Sequence, residues 1–193
     1  MNNEKIKQYL PRVFLVLFFL TVSIYINFFS SPEELISLIG VSNAYLLMFF
    51  LAFIGGMTTF NGIPYHLVLI TLANGGLNPW LLGTLTAFGV MFGDSTSYYL
   101  GYQGSNLIPK SLCKIFELIK NFGLKYPKLM PMLLFLYGSI SPFSNDFITI
   151  SMGLSRYPFF KVMIPLGLGN LVFNVSLAYF ATQAYDLLKG ILF

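Results

Sequence analysis

The sequence predicts an all-α integral membrane protein with two inverted re-entrant helical hairpins, about three spanning helices and an amphipathic surface helix. Three observations predict this class. Of the 193 residues, 56% are hydrophobic and only 9% are charged, and the mean hydropathy is +0.74. Long apolar runs alternate with short ones that are broken by Gly, Pro and polar residues. The broken pieces occur twice, which indicates an internal repeat.

Residues 1–42 are predicted to form an N-terminal anchor helix and an outer loop. Basic residues up to Arg12 precede the uncharged run Val13–Phe29, which is long enough to cross a bilayer. A signal peptide has the same charge order, but no small-residue cleavage site follows, so the sequence favours an uncleaved anchor. The positive flank places the N-terminus in the cytoplasm, and Glu33 and Glu34 outside.

The first half of the membrane domain covers residues 43–101. Two apolar pieces, Asn43–Ile54 and His66–Ala73, are each too short to cross, so they predict a re-entrant hairpin. Three residues mark the break between them: Asn61, Gly62 and Pro64. The run Trp80–Gly101 follows and is predicted to span, with Gly89 and Gly93 spaced to let another helix approach closely.

The linker 103–129 carries five lysines against one glutamate, Glu117. Its apolar residues recur at helical spacing, which predicts an amphipathic helix on the inner membrane face. The lysines would fix the topology and contact anionic headgroups.

The second half covers residues 130–184. The short pieces Met130–Tyr137 and Phe147–Met152 flank the break and predict a second hairpin, entered from the cytoplasmic side. Val162–Thr182 then crosses outward, so the short tail 185–193 lies outside. The second half therefore has the opposite orientation to the first.

The two halves align at their prolines. Set against each other, Pro64 and Pro142 are followed at equal offsets by Thr and then Gly: Thr71 and Thr149, Gly75 and Gly153. Each half is a broken hairpin followed by a long helix. In such inverted repeats the substrate path commonly lies near the midplane, where the breaks meet.

The polar residues near the breaks are the candidate site. The stretch Gly138–Gly153 contains Pro142 and several hydrogen-bonding side chains, which lipid does not tolerate unless they face protein or a wet cavity. An ionisable residue at this depth is a functional-site hypothesis. The predicted substrate- or proton-binding residues are Asp146, Asp94, His66, Asn145, Ser144, Asn61 and Arg156. The predicted structural breaks are Pro64, Pro142, Gly62 and Gly138.

Each of these residues also has a structural interpretation. Asp146 and its neighbours can simply cap the second half-helix. Asp94 can be an interfacial carboxylate satisfied by water, and His66 a structural residue rather than a proton relay. Asn170 and Asn174, one turn apart, favour packing between helices over substrate contact. The sequence leaves these alternatives open.

The residues resemble the DedA family, also called the VTT or SNARE-associated domain family, over roughly 46–181. The matching motifs are GVMFGDSTSYYLGYQG at Gly89–Gly104 and the paired breaks NGIP and SPFSND. The resemblance implies hairpins that meet in the membrane and movement of lipids or lipid-linked phosphates between leaflets, with proton coupling in some members. It also departs from the family pattern. His66 stands where a Glu would fall, and Ser139 and Asn145 replace a pair of Arg, which weakens a phosphate clamp.

These observations favour a lipid transporter or scramblase in the cell membrane, in which Asp146 and Asp94 bind cationic headgroup parts or exchange protons. The alternative is a proton- or cation-coupled carrier of small solutes. An enzyme is not expected, because no catalytic motif is present and there is a single His. Neither a metal nor another cofactor is expected. The expected partners are membrane lipids and not nucleic acid; homo-oligomerisation stays open.

Overall fold

The computed structural model describes residues 32–57, 64–105, 110–141 and 144–192, with isolated positions between 14 and 25. Every regular element in the ranges from residue 32 onward is an α-helix. The helices are α1 (Pro32–Ile39), α2 (Val41–Gly55), α3 (Tyr65–Asn74), α4 (Pro79–Gly104), α5 (Lys110–Lys125), α6 (Leu129–Ile140), α7 (Asp146–Leu154) and α8 (Phe159–Leu192). The all-α prediction is therefore confirmed for this part of the chain. The predicted anchor Val13–Phe29 lies mostly outside the described residues.

Helix α8 is the one described helix that is long and apolar enough by itself to cross a membrane, with a mean hydropathy of 1.5 in its best window. Helices α1 and α2 pass the same test only together, as a pair bent by 97°. Gly40 joins them with a φ of 86°, a left-handed conformation that favours glycine. The predicted span Trp80–Gly101 forms most of α4 but falls short of this hydropathy, because Gly, Ser, Thr and Asp94 interrupt its apolar residues.

Helix α1 occupies part of the predicted outer loop. Its start carries signals that the sequence already contains, since Pro32 begins the helix and Glu33 and Glu34 lie in its first turn. Ile36 is buried, and its side chain packs against the turn at Gly75. The apolar face of α1 therefore covers the end of the α2–α3 hairpin.

Helices α2 and α3 form a helical hairpin. Its open end lies beside α1, because the Tyr45 hydroxyl accepts a hydrogen bond from the Asn78 amide at 2.9 Å and Gly75 packs against Pro32. At its closed end, Gly55 packs against the ring of Tyr65. The joining residues 58–63, with the predicted Asn61 and Gly62, lie outside the described residues. We call the open side of this hairpin the Glu33 end.

The last turns of α8 also reach the Glu33 end. The Lys189 ammonium lies 3.5 Å from a Glu33 carboxylate oxygen, with both side chains about half exposed. The helix continues to Leu192, so the predicted tail 185–193 is helical over most of its length. The first and last described helices therefore meet on one side of the molecule.

Helices α6 and α7 form a second hairpin with the reverse direction. Its open end lies at the opposite side of the molecule, which we call the Arg156 end. There Gly153 packs against the backbone of Tyr98, and the buried Tyr157 hydroxyl donates to the Gly123 carbonyl of α5 at 3.3 Å. Helix α5 thus agrees with the amphipathic helix predicted in the linker. The predicted break residue Pro142 lies outside the described residues.

Helices α4 and α8 pack against each other at the centre, and each hairpin contributes one helix to each of them. Helices α2 and α7 pack on α4, whereas α3 and α6 pack on α8. The described helices therefore form two similar halves, α2–α4 and α6–α8.

The closest backbone approaches repeat between the halves. A Cβ on Gly93 would lie 2.5 Å from the Phe53 carbonyl oxygen and 2.6 Å from the backbone of Gly56. A Cβ on Gly169 would clash in the same way with the Phe135 carbonyl and with Gly138. In each half, a Phe-x-x-Gly turn on the first hairpin helix thus fits against a glycine on the long helix.

This packing corrects the prediction for Gly138. It lies inside α6, two residues before that helix ends, and is buried against Leu166 and Gly169. Because Gly138 has no side chain, α6 and α8 can approach closely. Gly138 does not break α6. The described break begins after Ile140, at Ser141.

Candidate functional site

The closed ends of both hairpins meet at one face of α4. The spacing of Asp94 and Ser97 places both side chains on this face, one helical turn apart. The first hairpin reaches them through Gly56, whose carbonyl oxygen lies 3.5 Å from the Ser97 hydroxyl. The second hairpin reaches them through Asn145 and Asp146 at the start of α7. We call five side chains the tip cluster: Asp94, Ser97, Asn145, Asp146 and Asn170.

Asp94 lies at the centre of the tip cluster and is 2% exposed. One of its carboxylate oxygens accepts from the side-chain amide of Asn145 at 2.8 Å and from that of Asn170 at 3.3 Å. The Asn145 amide also donates to the Asn170 side-chain oxygen at 3.1 Å. Asp94 is therefore a buried acceptor that joins α4, α7 and α8, and its interpretation as an interfacial carboxylate does not fit this burial.

Asp146 is the second buried carboxylate and is 5% exposed. The Ser97 hydroxyl donates to one of its oxygens at 2.6 Å, and the Ser144 hydroxyl donates to the other at 2.9 Å. Ser144 itself is exposed, and its carbonyl accepts from the Tyr137 hydroxyl at 3.1 Å. Ser144 thus connects the buried Asp146 to the surface of the protein.

The capping interpretation accounts for part of this arrangement. Asn145 occupies the N-cap position of α7 but makes no side-chain bond to the helix. Its amide points instead at Asp94 and Asn170. Ser144 contributes a cap-like contact, since its hydroxyl accepts from the Asp146 backbone amide at 3.3 Å, and Asp146 lies in the first turn of α7, where a negative charge stabilises a helix. The side chains at this helix start therefore serve the contact between α4, α7 and α8 more than the helix itself.

Asn170 and Asn174 line the face of α8 that closes the site. The Asn174 amide donates to the Asn170 backbone carbonyl at 2.8 Å, and Asn174 is 1% exposed. Within the described part of the chain, its side-chain oxygen has no hydrogen-bond partner. The sequence indicated polar packing here, and Asn170 does pack between helices, but through the carboxylate of Asp94.

Asp94 and Asn170 occupy equivalent positions in the two halves, because each directly follows the glycine that receives the Phe-x-x-Gly turn. Their direct hydrogen bond joins the two halves. The tip cluster therefore lies where residues of the two halves meet.

The remaining predicted residues that the structure describes make other contacts. His66 is in the first turn of α3, where its ring packs against Tyr65 and, edge to face, against Phe173 at 5.5 Å. Arg156 lies in the turn after α7 with a φ of 51°, its guanidinium donating to Ser105 at 2.8 Å. Pro64 precedes α3 as its N-cap. The structure therefore brings together Asp94, Asn145, Asp146 and Ser144 from the predicted set.

Ser97 was not predicted as a site residue. A signal for it was present in the sequence, since Ser97 follows Asp94 at i+3 within the motif that carried the family resemblance. In the described ranges, no group of three or more His, Cys, Asp or Glu side chains is placed to hold a metal ion. The oxygen atoms of the tip cluster are of the kind that exchange protons and bind cationic or hydrogen-bonding groups.

No family model, no curated protein and no solved structure matches this chain.

Proposed function

We propose that this protein is an integral membrane transporter of the DedA type that moves a lipid between leaflets, with the headgroup passing the tip cluster. The observation that carries the proposal is the convergence of two oppositely directed hairpins on two buried carboxylates, Asp94 and Asp146. Buried acids of this kind in an apolar helical protein commonly mark an ion or substrate pathway.

The surface of the helices supports a location in the membrane. Helix α8 carries no charge from Val162 to Tyr185. Large apolar side chains point outward from several helices, including Phe50 at 55%, Phe92 at 51% and Phe180 at 73% exposure. A water-soluble protein rarely exposes contiguous apolar surface of this extent, whereas lipid covers it without a free-energy penalty.

The charges support an orientation. Lysines of α5 lie at the Arg156 end together with Arg156 itself, while Glu33, Glu34 and Asp186 belong to helices that meet at the Glu33 end. Basic residues are retained on the cytoplasmic side of membrane proteins. The Arg156 end is therefore assigned to the cytoplasm, and the C-terminal end of α8 to the outside.

The chemistry of the tip cluster favours a headgroup that carries a cation over a bare phosphate. The sequence contains two arginines, and the described one, Arg156, bonds to Ser105 at the exposed turn. The tip cluster instead supplies carboxylates, amides and hydroxyls. Carboxylates bind ammonium groups and repel phosphate. We therefore propose a phospholipid with an amine or choline headgroup as the substrate.

Reconstitution into liposomes tests this function. Vesicles would contain a trace of fluorescent phosphatidylcholine, phosphatidylethanolamine or phosphatidylglycerol, and a membrane-impermeant reductant would bleach the outer leaflet. We expect the wild-type protein to expose nearly all of the first two lipids to the reductant, and Asp146→Asn to expose about half, as in empty vesicles. Asp186→Asn, an exposed acid at the end of α8, is the matched control and should behave as wild type.

Movement of every labelled lipid at the rate seen in empty vesicles would contradict the proposal. Equal rates for Asp146→Asn and wild type would contradict the role of the tip cluster. A thermal unfolding curve for each variant in detergent separates loss of function from loss of fold.

The second candidate is a proton- or cation-coupled carrier of a small solute. It is favoured by Asp94, a buried acid whose carboxylate accepts hydrogen bonds from two neutral amides, those of Asn145 and Asn170. Proteoliposomes with an internal pH dye would report proton movement under an imposed gradient of protons or sodium. This candidate requires flux that Asp94→Asn and Asp146→Asn abolish, and it fails if neither gradient moves protons or solute.

A further inference from the structure

A groove of about 180 Å³ lies between α4 and α8 on the outside of their contact. Phe88 and Met91 form the α4 wall, and Ile164, Gly167 and Leu171 form the α8 wall. All of its lining residues are apolar, and the groove is open on one side. Water does not occupy such a space stably, because a bound water needs two to four polar partners.

At the groove, a long side chain of one half faces a residue without a side chain in the other half. Met91 precedes Gly93 by two residues, and Gly167 precedes Gly169 by two residues, so Met91 and Gly167 are equivalent. At this position the first half has the long side chain of Met91, and the second half has Gly167, which has no side chain. A Cβ on Gly167 would lie 2.7 Å from the Met91 sulfur, so any side chain there would displace Met91 or fill the groove.

The groove also lies close to the tip cluster. Asp94 follows Met91 by three residues and Asn170 follows Gly167 by three residues, which is one helical turn in each case. The outward rim is formed by Phe88 at 48% and Leu168 at 52% exposure. An occupant of the groove would therefore lie within one turn of the buried acids while its length extends into the surroundings.

We propose that this groove binds one acyl chain of a membrane lipid and holds it beside the tip cluster. The inference rests on the proposed function, since it places the groove in the uncharged stretch of α8 and hence within the hydrocarbon layer. In that layer acyl chains surround the protein, and selectivity among them comes from dispersion contacts with a matching surface. The purely apolar lining excludes a headgroup and a polar solute from the same space.

Photolabelling in vesicles tests the inference. The probe is phosphatidylcholine with a diazirine in one acyl chain, and mass spectrometry locates the labelled residues after irradiation. We expect labelling of the groove walls about threefold above labelling of Phe180, the gain that a few additional dispersion contacts give. Phe180 is the reference because it is 73% exposed on the same helix.

Two glycines of α8 provide matched variants. Gly167→Leu fills the groove and should reduce wall labelling to the Phe180 level. Gly190→Leu adds the same side chain where a Cβ has no neighbour within 4 Å, and should leave the labelling unchanged. If Gly167→Leu does not fold, Met91→Ala serves instead. It enlarges the groove and should increase the labelling of Gly167 and Leu171.

The outcomes separate this inference from the proposed function. Equal labelling of the groove walls and of Phe180 overturns the proposal that the groove binds an acyl chain, whatever the result of the lipid transport assay. Selective labelling without lipid movement supports the groove and contradicts transport. A covalent dimer formed by Leu168→Cys in a Cys113→Ser background would show a second copy in the groove and overturn the inference. No labelling anywhere would overturn both the groove and the membrane location.

Discussion

Removal of the Asp94 side chain should loosen the contacts that the tip of the second hairpin and α8 make with the central helix α4. In Asp94→Ala, the buried amides of Asn145 and Asn170 each lose a charged acceptor. A buried donor left without a partner costs about 1–3 kcal/mol, and this penalty applies in full to the Asn170 amide, whereas the Asn145 amide keeps its bond to the Asn170 side-chain oxygen. Hydrogen bonds between helices in membranes average about 0.6 kcal/mol, which sets a lower limit near 1 kcal/mol for the pair.

The magnitude is measurable. For a chain of this length, each kcal/mol shifts Tm by about 2–4 °C, so Asp94→Ala should lower Tm by at least that amount. Asp94→Asn should remain close to wild type in Tm, because its amide oxygen still accepts both bonds and a buried charge is removed. Asp186→Asn is the exposed control. Thermal unfolding in detergent, followed by circular dichroism, measures all three variants.

The two substitutions of Asp94 test different steps of the reasoning. A Tm for Asp94→Ala equal to wild type would refute the claim that this carboxylate holds the second hairpin tip and α8 on α4. Full transport by Asp94→Asn would refute a role for its charge while leaving the structural role intact. Loss of transport with Tm unchanged in Asp94→Asn is the expected result.

Three further predictions follow from individual contacts. Ser97→Ala removes the hydroxyl that donates to Asp146 and should slow lipid movement about tenfold, which corresponds to a hydrogen bond of about 1.4 kcal/mol to a charged group. Ser95→Ala removes a bond within its own helix and should not change the rate. Gly93→Ala places a Cβ 2.5 Å from a backbone oxygen and should lower the free energy of unfolding by about 1–3 kcal/mol. Gly104→Ala places a Cβ 3.7 Å from its nearest neighbour, an ordinary contact, and should leave the free energy of unfolding unchanged. Denaturant unfolding measures both variants. His66→Phe keeps the ring contacts of His66 and should retain transport. Loss of transport in this variant would instead support a proton relay through His66.

The helices were predictable where the signals that start and end them lie within the segment itself. Hydropathy and the positions of Gly and Pro gave α2, α3, α6 and α7 to within a few residues, because a break in an apolar run ends a helix whatever surrounds it. Helix α1 was missed although Pro32 and two acids mark its start. A segment of eight residues carries little periodicity, and the loop interpretation rested on its charges.

The tip cluster was predictable only in part. Asp94 and Asp146 stood out because ionisable residues are rare in apolar sequence. Their separation by the linker helix gave no sign of which amide would face which carboxylate, so the roles of Ser97 and Asn170 required the fold. Gly138 was misassigned because glycine next to a polar stretch has the same sequence pattern whether it ends a helix or admits a neighbouring one.

The pairing of Asp94 with Asn170 has a consequence for how such a protein can be assembled. Two separate copies of one half, associated antiparallel, would place identical residues opposite each other on their symmetry axis. Two aspartates there would repel at a separation of one hydrogen bond, and two asparagines would have no dissociable proton. Fusion of the halves into one polypeptide removes this restriction, so a single acid can face a neutral donor at the centre.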